Sequence, residues 1–251
     1  MFLFLAYAHA DALAAPCQSG QVNATMPAPM AVGVPIDAVP AGLLVSGGCG
    51  SVNWEAELSI PATGEVIATA TLATDTRAVI EVDPGGELLP DTTYRLAFTP
   101  LEGDGMASEV AFTTGSALSV GLDGGPVVTE AAASWSRDGS TVVQAGILAA
   151  PSADGDTFIT LAVEEVDGDL SADVATGAEE LFLTGFTNIV PAPETLCVVA
   201  RQRDIAGVWT DSPSDCVATE IDPIVSCDTT SGAMSAIGVL VGLAALARRR
   251  A

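Results

Sequence analysis

The chain of 251 residues carries 32 acidic side chains against 8 arginines, no lysine and a formal net charge of −24, while 49% of its residues are hydrophobic. So acidic a surface repels the phosphates of nucleic acids and anionic lipid headgroups, which makes nucleic acid a poor partner. The hydrophobic content is that of a chain with a packed core, and it excludes intrinsic disorder.

Residues 1–14 have the pattern of an export signal peptide. Residues 2–8 are apolar, and Ala12 and Ala14 supply the small side chains at positions −3 and −1 of a cleavage site. No basic residue precedes the apolar run, and the run is short. We still expect export, because the cysteines and the C-terminal segment agree with it.

Residues 15–115 are predicted to form a first β-sandwich. Short segments of alternating apolar and polar residues follow one another, as in residues 77–82 and 93–99, and turns such as 61–64 and 84–86 separate them. No segment shows a sustained helical period. The pattern therefore predicts strands throughout this region.

A local motif within this region points to a family. Residues 89–96, Leu-Pro-Asp-Thr-Thr-Tyr-Arg-Leu, resemble the tyrosine corner of fibronectin type III and bacterial Ig-like domains. The resemblance covers residues 25–115. It implies that the hydroxyl of Tyr94 bonds to the backbone a few residues upstream, and that Trp54 is buried. Both residues would be structural.

Residues 116–125 are predicted to be a linker with some flexibility, because they contain Gly-Leu-Asp-Gly-Gly. Residues 126–223 then repeat the pattern of short strands, with Cys197 at the position that Tyr94 holds in the first unit. Residues 197–209 resemble a fibronectin type III hairpin. The predicted fold is all-β, with two tandem Ig-like or fibronectin type III-like sandwiches.

Carboxylates cluster in residues 164–173 of the second unit. Asp167, Asp169 and Asp173 are weak candidates for a calcium site, since calcium prefers oxygen ligands. The EF-hand pattern fails, because Ala172 occupies its glycine position. A solvated loop between strands is the favoured interpretation.

Five cysteines in an exported chain leave one over after pairing. If Cys227 belongs to the C-terminal segment, four remain, and they allow three connectivities. Pairing within each unit gives Cys17–Cys49 and Cys197–Cys216 and requires no link between units. Zinc is not expected, because the spacing lacks a C-x-x-C pair and the mature chain would have no histidine to help.

Residues 227–251 combine Cys227, a polar spacer, an apolar stretch over 233–247 and three final arginines. As a helix the stretch would reach about 22 Å, less than the hydrocarbon core of about 30 Å. The arrangement resembles the C-terminal sorting signals of Gram-negative bacteria, most closely the myxobacterial type. The resemblance implies a sorting protease that cuts near Cys227, and Arg248, Arg249 and Arg250 as the stop signal. An ordinary transmembrane helix is the alternative.

The residue types argue against catalysis. The single histidine, His9, is lost with the signal peptide, which leaves no histidine or lysine as general base, metal ligand or Schiff-base nucleophile. Paired carboxylates could serve a glycosidase, but they fall on predicted turns and aromatic residues are only 5% of the chain. Trp135 and Trp209 are expected in or near the core. We predict no enzyme, no catalytic residue and no cofactor.

These features together predict a non-catalytic, surface-anchored structural or adhesion protein of a Gram-negative bacterium. An accessory binding module for an envelope enzyme and a calcium-dependent adhesin are the alternatives, and fold alone does not choose among them. The expected partners are the export machinery, the sorting protease, the membrane and an unidentified protein or glycan.

Overall fold

The computed structural model describes residues 19–46, 50–135, 140–164, 166–187 and 194–221. These residues form strands, turns and loops and contain no helix, so the predicted all-β class is confirmed. All of them belong to one compact unit that ends at Ile221.

Several predictions fall outside the described residues and stay predictions. They concern the signal peptide, the Cys17–Cys49 pair and the C-terminal segment with Cys227 and residues 248–250. Within the part of the chain that is described, no helix is long and apolar enough to cross a membrane.

The first half of the unit consists of two sheets. Its strands are β1 (Gln21–Met26), β2 (Val32–Val34), β3 (Ala41–Val45), β4 (Val52–Ile60), β5 (Glu65–Thr74), β6 (Arg77–Glu81), β7 (Thr93–Glu102) and β8 (Ser108–Thr114). One sheet has the order β1-β3-β6, and the other has the order β2-β8-β7-β4-β5.

The core of this half lies between the two sheets. Alternation along β4 buries Trp54 and Leu58, and alternation along β7 buries Leu96 and Phe98. The ring of Phe98 comes so close to β3 that a Cβ at Gly42 would lie 2.5 Å from it. The sheets therefore pack face to face, and glycine at this position permits the close approach.

The second half forms one continuous sheet of eight strands. They are β9 (Val127–Trp135), β10 (Thr141–Leu148), β11 (Thr157–Val163), β12 (Asp169–Ala175), β13 (Glu180–Thr187), β14 (Thr195–Arg203), β15 (Trp209–Asp211) and β16 (Asp215–Ile221). The order is β12-β11-β14-β16-β9-β10-β13, with β15 paired to β14. Strand β16 joins two layers, because it pairs antiparallel with β14 and then parallel with β9.

The two halves repeat one topology. The order β1-β3-β6 of the first half corresponds to β9-β10-β13 of the second, and β8-β7-β4-β5 corresponds to β16-β14-β11-β12. Apart from β2, which pairs with β8, and β15, which pairs with β14, each half sets three strands against four, which is the two-layer architecture of Ig-like and fibronectin type III sandwiches. The predicted domain boundaries at residues 115 and 126 stay a prediction.

Strand β12 corrects one interpretation of the sequence. Residues 164–173 were expected to be a solvated loop, yet Asp169 begins a strand that continues to Ala175. Leu170 and Ala172 are buried and anchor this strand on the apolar interior. The carboxylates masked the strand pattern, because on a strand at the sheet edge they can face outward while their neighbours face the core.

The core of the first half continues into the second. Phe158, Ala172 and Ile205 belong to the same apolar cluster as Trp54 and Leu58, whereas the rest of the second half has its own cluster. The two halves therefore share buried apolar surface. We call this boundary between the halves the seam.

Residues 116–125 are held by hydrogen bonds to both halves. The carboxylate of Asp37 accepts from the backbone N–H and the hydroxyl of Ser119, both at 2.8 Å. Asp154 Oδ2 accepts from the backbone N–H groups of Val120 and Gly121, at 2.8 and 3.0 Å. Carboxylates that accept from backbone N–H groups restrict the motion of the chain. These hydrogen bonds therefore do not favour the flexibility that the sequence predicts for this segment.

Candidate functional site

The seam is built around a buried arginine. Arg203 lies at the end of β14 and is 0% exposed. Its Nε donates to Glu81 Oε1 of β6 at 2.9 Å, and its Nη2 donates to the carbonyl of Val39 at 2.7 Å. Burial lowers the pKa of Arg203, and the negative charge of Glu81 opposes this shift. Such partners are necessary, because an unpaired buried charge costs several kcal/mol.

The carboxylate of Glu81 also accepts from a second donor, which lies on β15, the strand paired with β14. The indole Nε1 of Trp209 donates to Glu81 Oε1 at 2.6 Å. Trp209 stands opposite Arg203 in the pairing of β14 with β15, so the two donors reach the carboxylate from adjacent strands. One oxygen of the first half thus orients both side chains of the second.

The loop between β14 and β15 closes on the first half. The carbonyl of Ile205 accepts from the backbone N–H of Val39 at 2.9 Å. Gly207 has a φ of +83°, and a Cβ there would lie 3.0 Å from Val39 Cβ. A side chain at this position would strain the backbone and push the halves apart.

A pocket of about 480 Å³ lies beside the seam and is lined from both halves. We call it the seam pocket. Its lining residues are Val79 and Glu81 of β6, Asp169 of β12, Arg201 of β14, and Trp209 and Asp211 of β15.

Arg201 is placed between two carboxylates of the seam pocket. Its Nη1 lies 3.5 Å from Asp169 Oδ1, and its Nε lies 3.6 Å from Asp211 Oδ1. Among the described residues, none hydrogen-bonds to Arg201 Nε or Asp169 Oδ1, although both atoms are buried. Burial raises the pKa of Asp169, while the hydroxyl of Thr160 and the charge of Arg201 oppose the shift. Both atoms therefore have an ion-pair neighbour but no hydrogen bond, and buried polar atoms without a hydrogen bond are rare in native folds.

The three calcium candidates are not brought together around one point. Asp169 faces Arg201, and Asp173 Oδ2 accepts from Arg77 Nη1 of β6 at 3.1 Å, which is a further contact across the seam. Asp167 lies before β12, in the segment that follows β11. In the described part of the chain, no group of three metal-binding side chains is found.

The structural residues lie apart from the seam pocket. Tyr94 Oη accepts from the backbone N–H of Leu89 at 2.8 Å, and Trp54 is 0% exposed. A disulfide joins Cys197 to Cys216 at opposite positions of β14 and β16, so this predicted pair is confirmed.

Sequence reasoning missed most of the seam. Trp209 was expected in or near the core, yet it is half-buried and lines the seam pocket. Arg201, Arg203 and Glu81 were not singled out as site residues. The available signal was the pair of arginines two residues apart on one strand, which places both on the same face in a chain that has few arginines.

No family model matches the chain, and no curated protein matches it. Among solved structures it is similar to the FN1–FN3 domains of chicken CNTN1, with 10% identity, a TM-score of 0.26 and coverage of 80% of this chain and 64% of that chain. The chain thus spans less than two thirds of the CNTN1 fragment.

Two bacterial structures are also similar. The fibronectin(III)-like modules of Clostridium thermocellum CbhA show 11% identity and a TM-score of 0.27, over 80% of this chain and 93% of that chain. A Ca²⁺-stabilized adhesin with which an Antarctic bacterium binds ice shows 16% identity and a TM-score of 0.25, over 83% of this chain and 50% of that chain.

Proposed function

We propose that this chain is a non-catalytic binding protein of the Gram-negative cell surface, held there by its C-terminal segment. The observation that carries the binding role is the seam pocket, where an indole, a guanidinium and carboxylates converge on one concavity. Pockets with a few convergent polar groups are the usual location of ligand sites.

The rigidity of the seam supports a binding role. Arg203, Glu81 and Val39 connect the halves through hydrogen bonds of 2.7 and 2.9 Å, and the pocket walls come from both sides of that connection. A preorganised pocket loses little conformational entropy when a ligand binds. The two halves therefore act together as one binding unit.

The state of the carboxylates supports binding over hydrolysis. A glycosidase needs two carboxyl groups free to face the scissile bond. Glu81 Oε1 already accepts from Arg203 and Trp209, and Asp169 and Asp211 both lie next to Arg201. Among the described residues that line the pocket, none is a serine, cysteine or threonine that could act as a nucleophile.

The proposed route to the surface begins with export by the signal peptide at residues 1–14. A sorting protease then acts near Cys227, while residues 248–250 stay on the cytoplasmic side of the membrane until cleavage. The disulfide between Cys197 and Cys216 supports an oxidising compartment, where such bonds persist. The net charge of −24 supports a protein or glycan ligand over nucleic acid.

The test is to express the full chain in a Gram-negative host that has a sorting protease of this type. We expect the chain at the surface, with a mature C-terminus at or near Cys227 by top-down mass spectrometry. Cys227→Ser should retain the tail, whereas Thr229→Ala in the same spacer should be processed normally. A tail intact to Ala251 would refute the sorting signal, and recovery from the cytoplasm would refute the surface location.

A further inference from the structure

We propose that the seam pocket binds an uncharged carbohydrate. This inference rests on the binding role proposed above and adds the ligand class. Its basis is the combination of the Trp209 indole with a partly exposed guanidinium and carboxylate, Arg201 and Asp169, which lie 3.5 Å apart in the pocket lining.

Hydroxyl groups fit this pair of side chains. A hydroxyl both donates and accepts, so adjacent hydroxyls of one sugar ring can donate to the Asp169 carboxylate and accept from the Arg201 guanidinium, whose side chains are 28% and 42% exposed. A ligand without hydroxyls would desolvate these polar groups without pairing them and would bind poorly.

The indole of Trp209 supplies the apolar contact. Its Nε1 is fixed on Glu81 at 2.6 Å, so the ring is held in one orientation while it lines the pocket. A rigid aromatic surface beside polar groups suits a sugar ring, which has apolar C–H faces and a polar edge. The pocket volume of about 480 Å³ lies within the range of about 300–1,000 Å³ that is usual for small-ligand sites.

The charges of the seam pocket exclude other ligand classes. Glu81, Asp169 and Asp211 outnumber Arg201 in the lining, so phosphates, sulfated sugars and uronic acids are repelled. A cation would approach the guanidinium of Arg201, which lies between Asp169 and Asp211 and occupies the favourable position. An uncharged ligand with many hydroxyls is repelled neither by the carboxylates nor by the guanidinium.

The experiment uses the purified full chain and three groups of soluble probes. The uncharged probes are oligosaccharides of glucose, mannose and N-acetylglucosamine, the anionic probe is oligogalacturonate, and the cationic probe is oligochitosan. Saturation-transfer NMR reports contact, calorimetry reports the Kd, and chromatography of the probes after incubation reports hydrolysis. We expect at least one uncharged oligosaccharide to bind, and neither charged probe.

The decisive variant is Arg201→Leu, which should weaken uncharged-sugar binding at least tenfold. Arg95→Leu is its matched control, because Arg95 also contacts two carboxylates and has 44% side-chain exposure against 42% for Arg201. Asp169→Ala should weaken binding in the same way. Circular dichroism and urea unfolding confirm that each variant is folded.

The outcomes separate this inference from the proposed function. The inference is overturned if no uncharged probe binds, if only a charged probe binds, or if Arg201→Leu binds as tightly as the wild type. A surface-located chain that fails to bind these sugars overturns the ligand class alone. Hydrolysis of a bound probe leaves carbohydrate recognition standing and overturns the non-catalytic proposal.

Discussion

Arg203 and Glu81 lie 122 residues apart in the chain, yet Arg203 Nε donates to Glu81 Oε1 at 2.9 Å and closes the seam. Arg203 has a side-chain exposure of 0%, while Glu81 has 35%. The guanidinium therefore depends on its partners, whereas the carboxylate retains some contact with water. This difference in exposure determines which substitutions should lower the free energy of unfolding most.

Glu81→Ala is expected to destabilise the fold by about 3 kcal/mol, because it leaves a buried guanidinium without its counter-ion. The value is at the lower end for a broken buried pair, since Val39 still accepts from Arg203. Urea unfolding measures it. Glu57→Ala is the control, because Glu57 pairs with the exposed Arg95, and its loss should cost about 0–1 kcal/mol. Equal effects of the two variants would contradict the proposed importance of the seam.

Asp169→Asn is expected to raise the melting temperature at neutral pH. Burial raises the pKa of Asp169 above the unfolded value of 3.8, so the folded state holds this proton more tightly than the unfolded state does. Wild-type stability therefore falls as the pH rises through the interval above 3.8, and the advantage of the asparagine should disappear below it. Melting curves at several pH values test this.

The control for that measurement is Asp173→Asn, which removes the carboxylate that pairs with Arg77. Both side chains of that pair are partly exposed, so we expect a small loss of stability and no gain. A gain from Asp169→Asn would mean that the wild-type carboxylate costs stability, as residues kept for binding often do.

Replacing Cys197 and Cys216 together by serine is expected to lower the free energy of unfolding by about 3 kcal/mol, because the disulfide closes a loop with a sequence separation of 19. Urea unfolding of the oxidised proteins gives the difference. Adding a reductant to the double variant tests the second predicted pair, since a further loss is expected if Cys17 and Cys49 are joined. No effect of the double replacement would contradict the role given to this bond.

Tyr94→Phe is expected to cost about 1–2 kcal/mol, because the backbone N–H of Leu89 loses its acceptor in a partly buried position. Thr93→Val is the control, since its hydroxyl contact with Thr113 is exposed and should change stability by less than about 0.5 kcal/mol. Denaturant midpoints of the two variants decide the matter, and equal midpoints would argue against a structural role for the tyrosine hydroxyl.

Millimolar calcium is expected to leave the melting temperature unchanged. Arg201 lies beside Asp169, and Arg77 lies 3.1 Å from Asp173, so two of the three candidate ligands already have a positive neighbour that repels the ion. A ligand that binds the native state must raise the melting temperature. Calorimetric melting with calcium and with a chelator measures this, and a clear rise with calcium would restore the calcium-dependent adhesin.

Local pattern predicted what depends on neighbours in the chain. Alternation along residues 93–99 indicated strand β7, and cysteine counting indicated the bond between Cys197 and Cys216. Strand β12 was missed, because Asp169 and Asp173 give its outward positions the composition of a loop. The pattern of a strand shows which side chains alternate, but not which neighbour covers each face.

The sequence alone determined that this protein is an acidic, disulfide-bonded chain of short strands, because strand periodicity, charge and cysteine spacing are local or additive properties. Only the tertiary structure decided that Arg203 would be buried against Glu81, and that Asp169, Arg201 and Trp209 would share one pocket. These side chains come from sheets in both halves of the unit. The free energy of a charged contact depends on its burial and on its partners, and no local sequence pattern encodes either.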